Sequence, residues 1–253
     1  MILRHVEAGV GLPVALLHGL FGAGGNFSAV QRRLAERFRV VSLDLRNHGV
    51  SPHGADVSYA AMADDVVETL GALGALPAAL VGHSMGGKVA MQAALARPEA
   101  VRRLLVADIA PVRYPPHFRA FATAMQAREL RPGLTRREAD QALTGVTDTP
   151  TLRAFLLQNL GFGAAPAWRI GLDEIAAGLP SIEGWDAPPG ATYAGPTLVL
   201  AGERSDYIKP EHRAVFRALF PLARFVTLRN AGHWMHADQP EAFTEIVGGF
   251  LAG

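Results

Sequence analysis

The stretch Ala78-Ala79-Leu80-Val81-Gly82-His83-Ser84-Met85-Gly86-Gly87-Lys88 joins an apolar run to a helical pattern through a turn of small residues. The helical pattern continues as Val89-Ala90-Met91-Gln92-Ala93-Ala94-Leu95-Ala96, and Pro98 stops it. Ser84 therefore stands at a strand-to-helix junction, with Gly82 and Gly86 two residues away on either side. A residue on so sharp a turn takes strained dihedrals, and its side chain projects above the sheet. Its neighbours two residues away must lack side chains, because the strand and helix backbones approach closely there.

Outward from this turn, short apolar runs alternate with helical patterns. Strands are predicted at 14–17, 39–44, 78–82 and 103–108, with helices at about 27–37, 59–73 and 85–96. Continuous apolar strands separated by helices imply a parallel sheet covered on both faces. The alternation breaks at Pro111. Residues 112–189 read as helices and loops without a convincing strand, bracketed by Pro115-Pro116 and Pro188-Pro189. Strands at 196–201 and 224–228 and helices at about 211–219 and 240–251 then complete the pattern. The expected architecture is one α/β core, residues 1–111 and 190–253, carrying a helical cap at 112–189. The cap enters at strand carboxyl ends, where open α/β sheets bind ligands.

Composition excludes several classes. The 253 residues carry 24 Lys and Arg against 23 Asp and Glu, with no basic tract of the kind that follows a phosphate backbone. There are no cysteines, so disulfides, thiolate metal sites and a cysteine nucleophile are ruled out. No apolar run is long enough to span a membrane, and the N-terminus lacks a signal layout. The expectation is a cytoplasmic, soluble chain with no nucleic-acid partner; nothing in the pattern specifies an oligomer.

Gly82-His83-Ser84-Met85-Gly86 fits the Gly-x-Ser-x-Gly nucleophile elbow, making Ser84 the candidate nucleophile. An oxyanion site needs two backbone donors. The N–H groups of Met85 and of Leu20, in the loop His18-Gly19-Leu20-Phe21-Gly22 after an early strand, are the candidates. Phe21 is the second choice as donor and is instead expected to wall the acyl site, with His83 and Trp234 as further candidate walls. His18 is read as a loop-anchoring group, and His48 as a pocket wall or structural donor. The base is expected after the last strand, in Asn230-Ala231-Gly232-His233-Trp234-Met235-His236; His233 is preferred to His236 because the Gly-His step follows the strand directly. Two acids compete. Asp108 ends a fully apolar strand, where a carboxylate is costly without a compensating partner. Asp206 lies in the late loop Gly202-Glu203-Arg204-Ser205-Asp206, one residue beyond the usual Gly-x-x-Asp spacing. Asp108 is favoured, with Asp206 the alternative. In the cap, Phe118, Phe121, Met125, Phe155, Leu156, Phe162 and Trp168 supply apolar surface, of which two or three are expected to touch substrate.

Together, His18-Gly19-Leu20-Phe21-Gly22, Asp44-Leu45-Arg46-Asn47-His48-Gly49-Val50-Ser51-Pro52, Gly82 to Lys88, Asp108-Ile109-Ala110-Pro111-Val112 and Gly232-His233-Trp234 resemble YbfF-type esterases. These form a small serine-esterase subfamily of the α/β-hydrolase fold, related to abhydrolase domain-containing protein 11. The resemblance runs through the core and is weaker in the insertion, apart from Trp185. It implies a Ser84, His233 and Asp108 triad with Ser205 as an auxiliary hydroxyl. It also implies hydrolysis of short- to medium-chain acyl esters, with no cofactor and no metal. Asp206 beside that serine is a departure. A thioesterase, a carbon–carbon bond hydrolase or a perhydrolase would use the same side chains, and a non-catalytic ligand-binding relative is the reading from a different class.

Overall fold

A computed structural model describes all residues from Met1 to Gly253. Strands β1 (His5–Ala8) and β2 (Pro13–Leu17) open the chain; α1 (Ser28–Leu34) leads to β3 (Arg39–Leu43), α2 (Tyr59–Ala72) to β4 (Ala78–His83), and α3 (Met85–Ala96) to β5 (Val101–Ala107). The insertion holds α4 (Arg119–Gln126), α5 (Arg136–Ala142), α6 (Pro150–Leu157), the short strands β6 (Leu160–Gly161) and β7 (Ala167–Trp168), and α7 (Leu172–Ile182). The core resumes with β8 (Thr197–Gly202), α8 (His212–Leu219), β9 (Ala223–Leu228), α9 (Met235–Asp238) and α10 (Pro240–Ala252).

Seven strands form the main sheet in the order β1-β3-β2-β4-β5-β8-β9. All neighbours are parallel except β1 against β3. The period-two alternation divides the core. Leu16, Val40, Val81 and Leu105 pack with Phe27, Leu34, Phe243 and Val247 on one face. Leu17, Val41, Leu80 and Leu104 face the other side, with Val66, Val89 and Met91 of α2 and α3. Every residue of the central strand β4 is buried, so its only outlet is its carboxyl end. No helix is long and apolar enough to cross a membrane.

Two elements differ from expectation. β1 is an edge strand with a largely solvent-facing pattern, so no apolar run announces it. Within the insertion, Leu160 and Gly161 pair with Trp168 and Ala167 in a two-residue antiparallel ribbon. That ribbon is too short for any alternation to register.

Candidate active site

Because β4, β5, β8 and β9 run parallel, their carboxyl ends share one edge of the sheet. Ser84 follows β4, Asp108 follows β5, Ser205 and Tyr207 follow β8, and His233 follows β9. Residues distant in sequence are thus delivered to one place by strand direction alone.

Ser84 adopts φ 53° and ψ −122°, a conformation that L-residues rarely take. Close approach on both sides holds it there. A Cβ at Gly82 would lie 2.2 Å from the Gly86 carbonyl oxygen, and one at Gly86 would lie 2.3 Å from that of Leu17. The Ser84 Oγ–H donates to His233 Nε2 at 3.0 Å, and His233 Nδ1–H donates to Asp108 Oδ2 at 2.7 Å. Asp108 is fully buried, also at positive φ, and Oδ1 accepts the Gly202 N–H at 3.0 Å. The Ser205 hydroxyl donates a short hydrogen bond to Asp108 Oδ2. Asp206 is exposed and makes no hydrogen bond to His233: Ser205 occupies the inward position of the loop, so the residue after it faces solvent. His236 lies behind His83, its ring 4.9 Å from the His83 ring and 4.8 Å from Phe27, and half-burial among these rings pushes its pKa down to about 4.

The early loop passes directly against the Ser84 turn, since a Cβ on Gly19 would meet Ser84 Cβ at 3.1 Å. Phe21, at φ 60°, gives its N–H to His48 Nε2 at 3.1 Å, so that donor is occupied. The Leu20 N–H donates to no group of the protein. Met85 is the first residue of α3, where a helix leaves its N–H groups without intrahelical acceptors. Two buried histidines brace this loop. His18 Nδ1–H donates to Gly19 O at 2.8 Å while Nε2 accepts from Leu45 N–H at 3.0 Å; His48 Nδ1–H donates to Arg46 O at 2.9 Å. Both are buried without a carboxylate partner, and desolvation pushes their pKa values down to about 4 and about 3. His83 Nε2–H donates to the His233 carbonyl at 2.7 Å, and burial likewise keeps it neutral.

Above Ser84 lies a cavity of about 290 Å³, lined from the core by Phe21, His83 and Trp234 and from the insertion by residues including Phe118, Phe121, Phe155 and Leu156. Met125, Phe162 and Trp168 do not reach it. Met125 is buried inside the insertion, Phe162 is on its surface, and Trp168 donates its indole N–H to Met125 O at 3.1 Å. Three side chains near Ser84 have no signal in the sequence. Leu152 lines the cavity, Tyr207 lies against His233, and Lys88 is buried one turn beyond Ser84. Lys88 Nζ donates to Gly184 O at 2.6 Å and sits over the rings of Tyr59 and Tyr114, and burial lowers its pKa to about 7. The helical spacing of α3 puts Lys88 on the same face as Ser84, but nothing local signals the aromatic surroundings supplied from afar.

Residues 14–246 match the Alpha/beta hydrolase family. The chain is 44% identical over 248 residues to the mouse (Mus musculus) sn-1-specific diacylglycerol lipase ABHD11, covering 94% of this chain and 80% of that protein. It is 34% identical over 241 residues to Esterase YbfF of Escherichia coli (strain K12), covering 94% and 92% respectively. Among solved structures, a marine microorganism esterase superposes with a TM-score of 0.95 at 35% identity, covering 98% of this chain and 99% of that one.

Proposed function

Because the chain belongs to the alpha/beta hydrolase family, we propose that it is a carboxylesterase that cleaves short- to medium-chain acyl esters of small molecules through a Ser84, His233 and Asp108 triad and an acyl-enzyme. The single observation that carries this reading is the unbroken hydrogen-bond chain Ser84 Oγ to His233 to Asp108, opening into an apolar cavity. The names of the relatives, an esterase and a diacylglycerol lipase, support ester hydrolysis as the reaction class.

In this mechanism His233 Nε2 takes the Ser84 proton as Oγ attacks the ester carbonyl. The developing oxyanion rests on the N–H groups of Leu20 and Met85, aided by the positive end of α3. His233 then gives its proton to the departing alkoxide, the alcohol leaves, and water repeats the sequence on the acyl-enzyme. Asp108 fixes the His233 tautomer and stabilises the imidazolium, while Ser205 holds Asp108. We read residues 112–189 as a lid whose Phe118, Phe121, Phe155 and Leu156 receive the apolar part of the substrate. A cavity of about 290 Å³ lies at the lower end of the usual range for ligand pockets, roughly 300–1,000 Å³, which favours short and medium acyl chains.

The test is a series of p-nitrophenyl esters and matched acyl thioesters of increasing length, run on wild type and Ser84→Ala. A burst of p-nitrophenol stoichiometric with enzyme, an optimum at short to medium chains, and a loss on the order of 10⁴-fold or more in Ser84→Ala are expected. Retained turnover in folded Ser84→Ala would remove the proposal, and faster thioester cleavage would reassign the leaving group.

A further inference from the structure

The ring of Tyr207 lies on the ring of His233, with centroids 4.0 Å apart and planes inclined by 19°. The other rings around His233 meet it at steep angles: His83 at 46° and Trp234 at 72°. We propose that Tyr207 is a positioning residue whose π face keeps the His233 imidazole aligned between Asp108 and Ser84 and stabilises the imidazolium formed during turnover. The proposal rests on the triad reading given above.

The edges of the imidazole are already committed. Nδ1 faces Asp108 and Nε2 faces Ser84, so two in-plane bonds fix the ring's direction but leave it free to tilt about the line joining them. A stacked ring removes that freedom. Negative charge on an aromatic face also attracts a cation set against it. A neutral imidazole gains little from this surface, whereas an imidazolium gains more, so the contact acts on the charged state.

The loop that presents Tyr207 is itself held. Its carbonyl accepts the Tyr114 hydroxyl at 2.6 Å, and that hydroxyl accepts the Ala110 N–H at 2.9 Å. Two residues earlier, the Ser205 hydroxyl is bound to Asp108. Tyr207 is thus tied to the acid's strand from both sides. Burial, reinforced by the charge of Asp108, pushes the Tyr207 phenol up to about 12, so it stays neutral across the working range.

The titratable groups around His233 are Asp108 from the end of β5, His83 from β4, His236 and Asp238 from α9, and His117 on the cavity wall. Asp238 accepts the Gly232 N–H at 2.7 Å next to the base. None of these changes when only residue 207 is substituted, so comparing two replacements there isolates the ring.

The experiment is the pH dependence of kcat/KM on p-nitrophenyl butyrate for wild type, Tyr207→Phe and Tyr207→Leu, with the His233 ring proton followed by NMR in each. Tyr207→Leu should lower the acid-limb midpoint by about half a pH unit and reduce kcat about threefold, with the NMR midpoint moving the same way. Tyr207→Phe keeps the ring and should match wild type in both. An unmoved or raised midpoint in Tyr207→Leu overturns the proposal, as does a Phe variant that shifts as far as Leu. The two failures are separable. An intact p-nitrophenol burst with no shift removes only the role of Tyr207; turnover surviving in Ser84→Ala removes the triad, and the NMR midpoints then still decide whether the ring stabilises the cation.

Discussion

A carboxylate with no exposure to solvent is tolerated only when donors replace its lost water, and Asp108 has three: the Gly202 N–H, the Ser205 hydroxyl and the His233 imidazole. Asp206 has none of them. Asp108→Asn should therefore lower kcat by about 10⁴-fold, because a neutral amide cannot stabilise the imidazolium and its NH2 group, turned toward Nδ1, selects the wrong tautomer of His233. Asp206→Asn should stay within about twofold, as a surface substitution, and Ser205→Ala should cost about tenfold through a loosened Asp108. Steady-state kinetics on a p-nitrophenyl ester, with circular dichroism to confirm folding, decide this; a loss of orders of magnitude in Asp206→Asn with Asp108→Asn near wild type would reverse the assignment. Much of this site is legible in the sequence, since a carboxylate ending an apolar strand announces an unusual environment. The inward turn of Ser205 is expected only through the family resemblance, because one residue of loop phase decides which side chain faces His233 and no local pattern encodes that phase.

Elements whose signals are local were legible, and those held by remote partners were not. The strand-to-helix turn at Ser84 could be read from Gly82 and Gly86 because their missing side chains are demanded by contacts within a few residues and with the adjacent strand β2. The start of α4 shows the opposite case. No neighbouring side chain caps it; instead the buried carboxylate of Glu183 accepts the N–H groups of His117 at 2.8 Å and Phe118 at 3.1 Å, across more than sixty residues. An anion at that end also complements the helix dipole. Glu183→Ala should lower stability by about 1–2 kcal/mol, read as a reduced urea midpoint. It should also raise KM for the longer esters, because Phe118 lies on the cavity wall. Glu183→Gln, keeping one acceptor oxygen, should lose about half as much stability. An unchanged midpoint in Glu183→Ala would show that α4 does not depend on this cap.

Across the whole molecule, histidines are concentrated where the sheet edge, the early loop and the last loop meet. His18, His48 and His83 are buried there, and His236 packs against His83. Desolvation depresses all four, with His18 and His236 at about 4 and His48 at about 3. In the unfolded chain each returns to an ordinary value near 6.5, so between about pH 6.5 and pH 4 the unfolded state binds more protons than the native one. The stability these groups contribute is therefore fully present above about pH 6.5 and is lost as pH falls through their native values. Lys88 adds nothing to this slope below pH 7, since its ammonium is protonated in both states there, and its contribution of the same sign lies between about 7 and 10.5. Each fully buried histidine adds up to about 1.4 kcal/mol per pH unit of acidification. Urea unfolding at pH 7, 6 and 5 should therefore show a midpoint that drops with increasing steepness, and His48→Gln, which removes one such group, should flatten the slope even if it lowers the midpoint at pH 7. A midpoint that holds constant from pH 7 to pH 5 would mean that these imidazoles are hydrated or protonated in the native protein, and the bracing of the Leu20 loop by neutral histidines would fall with it.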